Sequence, residues 1–497
     1  MADIIVAFGL VFQPYVLSVI LLSAVFGLVV GAIPGLTATM ATALLVPVTF
    51  FMPPVPAIAS IVTATAMAIF AGDIPGALMR IPGTPASAAY TDESYAMTRK
   101  GHAETVLGAD LVFSVIGGLF GTVVLVASAP SLAEIALKFS SFEYFWLVLL
   151  GLSSAVFITV GDPLKGVVSL LIGLLISSIG LDNPAAYPRF TFGSIELLGS
   201  VGLIPMMIGM FAVSEILRYA VEPPGEAHVF KKQIGNVFRG MWALCKRYPL
   251  QTLRGSVLGT AIGALPGAGA DIAAWMSYAM SKKFSREPEK FGTGHIEGIV
   301  EAGAANNSAL AGAWIPALVF GIPGDSITAI VIGVLYIKGM NPGPTIFIEN
   351  PANIYAVFIV FSLANLLMIP FGWGAIKAAK RILDIPRNIL MPVILLFCIV
   401  GAFAINNTLF AVGVILVFGI AAYFMEENGY PVAPAILGVI LGAMLEEHFI
   451  SSMIKSDGSL MGFFNRPIAA GLGALTIVLW FWPVCSWLMR GWLMRRR

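Results

Sequence analysis

Apolar runs of roughly 18 to 25 residues recur along almost the whole chain, the length needed to cross about 30 Å of hydrocarbon at about 1.5 Å per residue. Only 11% of the 497 residues are charged, where an ordinary soluble domain carries about 25%, and mean hydropathy is +0.91. A soluble fold is excluded. A transmembrane β-barrel is excluded too, because its strands alternate in polarity and these runs do not. The fold class is an all-α polytopic membrane protein embedded in the lipid bilayer. With 28 Lys and Arg against 27 Asp and Glu, net charge gives no argument for nucleic acid as a partner. Cys245, Cys398 and Cys485 are odd in number and far apart, which speaks against a disulfide framework or a closely spaced metal motif. Met1 to Leu10 has no Lys or Arg before its apolar stretch and no small-residue cleavage site, so no signal peptide is expected there.

Seven apolar runs between Tyr15 and Tyr219 precede the longest polar stretch, Glu222 to Arg254, and seven more between Gly255 and Leu488 follow it. The two halves resemble each other. Gly27 to Gly35 reads G-L-V-V-G-A-I-P-G and Gly259 to Gly267 reads G-T-A-I-G-A-L-P-G, an offset of 232. Ile81 to Ala88 reads I-P-G-T-P-A-S-A and Ile322 to Ala329 reads I-P-G-D-S-I-T-A, an offset of 241. Two different motifs recurring in one order at nearly one spacing point to internal duplication.

Placing the Glu222 to Arg254 stretch and the Arg490 to Arg497 tail in the cytoplasm, with the Pro-Gly elements near Gly35 and Gly267 as re-entrant hairpins, sorts the basic residues by the positive-inside bias. Twenty-two fall inside and five outside (Lys138, Arg189, Lys338, Lys455 and Arg466), and Arg80 is left within the membrane. The expected organisation is an inverted-topology repeat with discontinuous helices. Residues 1–220 form the first membrane repeat, 221–253 a basic cytoplasmic linker and 254–452 the second membrane repeat. Residues 453–497 add a C-terminal transmembrane helix and a basic tail.

Gly and Pro inside apolar segments free backbone groups that lipid cannot satisfy, so such breaks belong where backbone faces protein, water or ligand. Four occur: Pro34-Gly35, Pro82-Gly83, Pro266-Gly267 and Pro323-Gly324. Each is followed by small hydroxyl or acidic residues: Thr37 and Thr39, Thr84 and Ser87, Asp271, then Asp325, Ser326 and Thr328. Half-helix N-termini suit a carboxylate, while unwound carbonyls and hydroxyls suit Na⁺.

These strings resemble the large membrane subunit of the tripartite tricarboxylate transporters over nearly the whole chain. The resemblance is strongest at R-I-P-G-T-P-A-S-A-A (Arg80 to Ala89), P-G-A-G-A-D-I-A-A-W-M-S-Y (Pro266 to Tyr278), F-G-T-G-H-I-E-G (Phe291 to Gly298) and in Ala304 to Pro344. It implies an elevator-type secondary carrier of the bacterial inner membrane. The carrier works with a small membrane subunit and a periplasmic substrate-binding protein, and imports small carboxylates with a Na⁺ or H⁺ gradient. The chain departs from that family's pattern at Arg80, Asp73, Asp325 and Gly303, where the family usually has Asn, Ser, Ser and Glu.

The substrate-binding set expected from the broken elements is Gly35, Thr37, Arg80, Gly83, Thr84, Ser87, Gly267, Asn306, Asn307, Gly324, Asp325 and Ser326. Arg80 either contacts a substrate carboxylate or pairs with Asp325 or Asp73. Asp271, alone in an uncharged run, is a candidate for ion coupling or for a helix cap. Thr39, its first-repeat counterpart, and Thr328 join it in the coupling set, with Na⁺ at Asp271 and Asn306. Asn306 and Asn307 otherwise cap a helix starting near Ser308. Glu297 and Glu301 are expected at the membrane interface, and His295 in a turn. No cofactor beyond the coupling ion is expected. No catalytic residue is expected either: no G-x-x-x-x-G-K-[ST] loop occurs, and the four histidines form no short-spaced ligand pair. A stand-alone ion-coupled carboxylate symporter, needing no binding protein, is the nearest alternative.

Overall fold

The computed structural model describes residues 2–158, 162–181, 184, 187–221, 234–383 and 387–494. The start of the basic linker, with His228, Lys231 and Lys232, and the terminal Arg495 to Arg497 lie outside the described residues. Among the described residues the chain is helical, with no β-strand. The first helices are α1 (Ala2–Val11), α2 (Pro14–Ala32), α3 (Ala38–Phe50), α4 (Pro54–Ala71), α5 (Asp73–Met79), α6 (Thr91–Arg99), α7 (Ala103–Ala136), α8 (Ser141–Ile158) and α9 (Pro163–Ser177). After them come α10 (Leu203–Ile208), α11 (Ser214–Val221), α12 (Met241–Arg247), α13 (Pro249–Gly263), α14 (Gly269–Phe284), α15 (Ile296–Phe320), α16 (Ser326–Ile337) and α17 (Ile346–Glu349). The last are α18 (Pro351–Leu383), α19 (Arg387–Asn406), α20 (Leu409–Glu427), α21 (Val432–Lys455) and α22 (Pro467–Met494).

Among the described residues, seven helical segments are long and apolar enough to cross a membrane, and the chain is a multi-pass membrane protein. Their starts follow simple chemistry: Pro occupies the first helical position of α2, α4 and α13, where its missing N–H costs nothing. Gly321, at φ 68°, ends α15 in the left-handed region. Of the helices beside the first and third Pro-Gly breaks, α2 is one of these spans and the other three are shorter. α3, α13 and α14 have 13, 15 and 16 residues, below the about 20 that a span needs.

Two compact units form, each drawing on both halves of the sequence. One holds the chain up to Glu134 with Gly202–Asn428, the other Ile135–Val201 with Gly429–Arg497. In the second unit, α9 lies against α21 at small residues: a Cβ on Gly438 would stand 2.7 Å from the Leu170 carbonyl. Trp146, Phe463 and Ala469 form its aromatic core, where Trp146 Nε1 donates to the Phe463 carbonyl at 2.9 Å. The buried Glu143 carboxylate is matched by Arg466 Nε at 2.7 Å.

In the first unit, helix contacts recur at the two sequence offsets. Gly27 and Gly31 of α2 lie so close to α4 that a Cβ on either would strike the carbonyls of Ala64 and Ala68. Gly259 and Gly263 of α13 lie in the same way on Ala305 and Ala309 of α15. The glycines of these pairs are related by the first offset and the alanines by the second. A Cβ on Gly83 would stand 2.9 Å from the Gly31 carbonyl and 2.6 Å from Gly72 Cα. On Gly324 it would stand 2.8 Å from the Gly263 carbonyl and 2.7 Å from Ala313 Cα. Thus each I-P-G loop is seated on the crossing of the two helices before it, in both halves.

Gly31→Val and Gly263→Val push a branched side chain into a facing backbone. Each is expected to lower stability by about 1–3 kcal/mol. Gly413→Ala, where a Cβ meets nothing within 4 Å, is expected to be neutral or to stabilise by up to about 1 kcal/mol. Thermal unfolding of the detergent-purified chain, followed by tryptophan fluorescence, measures all three.

Candidate functional site

Three of the four breaks end in defined side-chain caps. Thr37 caps α3, its Oγ1 accepting the Met40 N–H at 3.2 Å. Thr84 and Ser87 cap each other: the Thr84 N–H donates to Ser87 Oγ and the Ser87 N–H to Thr84 Oγ1, both at 3.1 Å. At the matching positions of the second I-P-G loop, Asp325 and Thr328 do the same. The Thr328 N–H donates to Asp325 Oδ1 at 2.8 Å, and the Asp325 N–H to Thr328 Oγ1 at 2.9 Å. This is a capping box, in which orphan amides of the helix start are satisfied reciprocally. The start of α14 has no side-chain cap. Gly267 (φ 82°) and Gly269 (φ 59°) make its turn in the left-handed region that glycine tolerates.

The tip of the α13–α14 turn meets both I-P-G loops. Trp275 Nε1 donates to the Pro85 carbonyl at 3.1 Å, and a Cβ on Gly269 would lie 2.7 Å from that of Asp325. The Asp271 carboxylate sits near the backbone of Ala86 and within electrostatic reach of Asp325. Asp271, Asp325, Thr328, Gly83, Thr84, Ser87, Gly267 and Gly324 are thereby gathered in one region. Asp271 is exposed, and Asp325, Ser326, Gly35, Thr37 and Thr39 are half-buried. The start of α16 already holds its own carboxylate, that of Asp325.

Arg80 is placed differently from the ion pair expected with Asp325 or Asp73. Its Nε donates to Asp92 Oδ1 at 2.8 Å, in a pair whose side chains are 63% and 67% exposed. Arg80 ends α5 at φ 60°, and the short reach back to the first turn of α6 selects Asp92. Asp73 is taken instead by Tyr90, whose Oη donates to Asp73 Oδ1 at 2.6 Å.

Asn306 and Asn307 do not cap a helix, because α15 runs unbroken from Ile296 to Phe320. Both are buried. Asn306 Nδ2 donates to Tyr90 Oη at 3.2 Å, and Asn307 Nδ2 to Met368 Sδ at 3.5 Å. Glu297 and Glu301 are buried within the protein. Glu301 receives Arg254 Nε at 2.6 Å, and Glu297 receives Ser285 Oγ at 2.6 Å and Gln251 Nε2 at 2.9 Å.

Three important acids or hydroxyls carry no Pro-Gly signal. Glu93, fully buried, accepts the backbone N–H groups of Gly292, Gly294 and His295 and the Tyr278 hydroxyl, the last three at 2.6, 2.8 and 2.8 Å. Gly292 and Gly294, at φ 89° and 98°, curl the backbone into an anion-binding nest, which explains the F-G-T-G-H string. Tyr90 links Asp73 to Asn306. Asp110 is an aspartate near the start of an otherwise apolar run, a signal visible in the sequence.

The model of the family described as "Tripartite tricarboxylate transporter TctA family" matches residues 17–437. An Agrobacterium vitis protein described as "Uncharacterized 52.8 kDa protein in TAR-I ttuC' 3'region" is 34% identical over 449 residues, 90% of this chain and 89% of its own length. A second, from the same organism and described as "Uncharacterized protein in TAR-II ttuC' 3'region", is 36% identical over 228 residues, 45% of this chain and 94% of its own length. No solved structure matches the chain significantly.

Because the Arg80–Asp92 pair is exposed and Asn tolerates the left-handed region, Arg80→Asn is expected to change stability by less than about 0.5 kcal/mol. Any loss of substrate uptake in that variant is then a recognition effect, separable by measuring both. Glu93→Ala strands four donors, so faster tryptic cleavage at Arg286 or Lys290 is expected in limited proteolysis of the folded chain.

Proposed function

The chain belongs to the tripartite tricarboxylate transporter TctA family, as a large transmembrane subunit, and from that membership we propose a binding-protein-dependent secondary carrier of the bacterial inner (cytoplasmic) membrane. It imports small organic carboxylates, of the tri-, di- or aromatic class, that a periplasmic substrate-binding protein delivers. A small membrane subunit is its partner in the bilayer. A Na⁺ or H⁺ gradient drives the import.

The observation that carries this reading is the pair of matched broken-helix assemblies. In each, an I-P-G loop rests on a glycine crossing and ends in a reciprocal cap, and the α13–α14 hairpin of the second reaches both loops, its own at Asp325 and the other at Pro85. Carriers built from inverted-topology repeats place substrate and ion where such discontinuous helices meet. The positive-inside distribution supports opposite orientations for the two repeats, with α2–α3 and α13–α14 as re-entrant hairpins. Substrate donors are Thr37, Ser326 and the uncapped start of α14 beyond Gly267. Arg80 lies beside that region as a carboxylate receptor at an exposed edge, and the whole repeat core moves as an elevator.

Uptake of a labelled carboxylate panel into vesicles, with and without the small subunit and binding protein, under a Na⁺ or pH gradient and no ATP, tests the proposal. Uptake that needs both partners and collapses with the gradient is the expected result. Uptake by the chain alone removes the binding protein and leaves a stand-alone symporter, and flux indifferent to any gradient overturns ion coupling.

A further inference from the structure

Two buried acids of the first unit are left largely unpartnered, Asp73 on α5 and Asp110 on α7, at 2% and 0% exposure. They lie within electrostatic reach of each other, and Tyr90 lies within reach of both. Neither acid forms an ion pair among the described residues. Only one oxygen of the four carboxylate oxygens is engaged, Asp73 Oδ1, by Tyr90. Asp73 Oδ2, both oxygens of Asp110, Asn306 Oδ1 and Ser114 Oγ, one turn along α7 from Asp110, are buried with no hydrogen-bond partner. An ionised carboxylate left so in a dry interior costs several kcal/mol, and orphaned acceptors of this number are uncommon.

The unsatisfied atoms share one character: apart from the Ser114 hydroxyl, all are oxygens that only accept. A hard cation completes such a set, because it takes several oxygen ligands at once where one proton serves at most two. Room exists along α15 near Asn306. Gly303 is fully buried on α15, one turn before Asn306 and Asn307, yet nothing stands within 4 Å of where its Cβ would be. The donors are all hard oxygens, with no thiolate or imidazole among them, a set that suits an alkali cation rather than a transition metal.

We propose that Asp110, Asp73 and Asn306, oriented by Tyr90, hold a Na⁺ ion at the crossing of α5, α7 and α15. The site deepens the ion-coupled reading above, on which it rests, by moving the coupling ion from Asp271 in the exposed turn to a layer beneath the I-P-G loops.

The test is the unfolding midpoint of the purified full-length chain in detergent, titrated with NaCl at constant ionic strength against choline and against K⁺, then repeated across pH in choline. The midpoint is expected to rise with the logarithm of Na⁺ concentration, to lose that rise in Asp110→Asn, and to need about tenfold more Na⁺ in Gly303→Ala. Gly303→Ala adds a methyl group into open space, so it decides the matter should Asp110→Asn not fold. A wild-type response in Asp110→Asn, or in Gly303→Ala where the other variant is lost, overturns the site. So does a response abolished by Asp271→Asn but kept in Asp110→Asn, an equal response to K⁺, or a midpoint that follows pH and ignores Na⁺. No substrate, partner or gradient is present, so a flat Na⁺ titration leaves the carrier reading intact. Absent uptake with a normal titration overturns that reading and not this site.

Discussion

Broken helices in an apolar chain survive only where the backbone groups they release find partners, and here they find them because helices cross at glycine. Gly31 and Gly263 have no side chain to hold their helices off Ala68 and Ala309, and that closeness makes the shelf on which Gly83 and Gly324 rest. With the loops seated, Thr84 with Ser87 and Asp325 with Thr328 close the amides at the breaks. The unwound segments are therefore fixed by backbone contact rather than by long side chains, and they keep their polar groups inside protein as the bilayer demands.

Upon this common frame the two halves differ in charge. Thr39 in the first half stands where Asp271 stands in the second, and Thr84 where Asp325 stands. In the first half the acids lie elsewhere, at Asp73 beneath the loop and at Asp92, which holds Arg80 at the surface. A pseudo-symmetric shell thus encloses an asymmetric distribution of acids.

Much of this could be read from residues alone. The helical class followed from apolar runs too long for anything else, and the four Pro-Gly breaks from composition inside those runs. The two repeat offsets reappear as paired contacts between particular glycines and alanines. Side-chain partners were harder to read. Arg80 meets Asp92, twelve residues away, and nothing in the pattern ranked that acid above Asp73 or Asp325. Asn306 and Asn307 look like caps until α15 is seen to run through them, since a polar pair inside a helix and one at its start differ only in tertiary surroundings. Glu93 could not be linked to Gly292 and Gly294, which lie far along the chain, because a nest has no sequence signature of its own partner.

That last contact has a mechanical meaning. Glu93 and Lys100, near the two ends of α6, both grip the 291–295 loop, the lysine through the Thr293 carbonyl at 2.6 Å. The segment after the first I-P-G loop and the connection between α14 and α15 are therefore riveted at two points, so force applied to one is transmitted to the other without slack. A conformational cycle that displaces α14 must carry α6 along, and with it the register of the loop carrying Arg80 and Tyr90. The α6 segment and the α14–α15 connection thus form one stiff element, held at both of its ends.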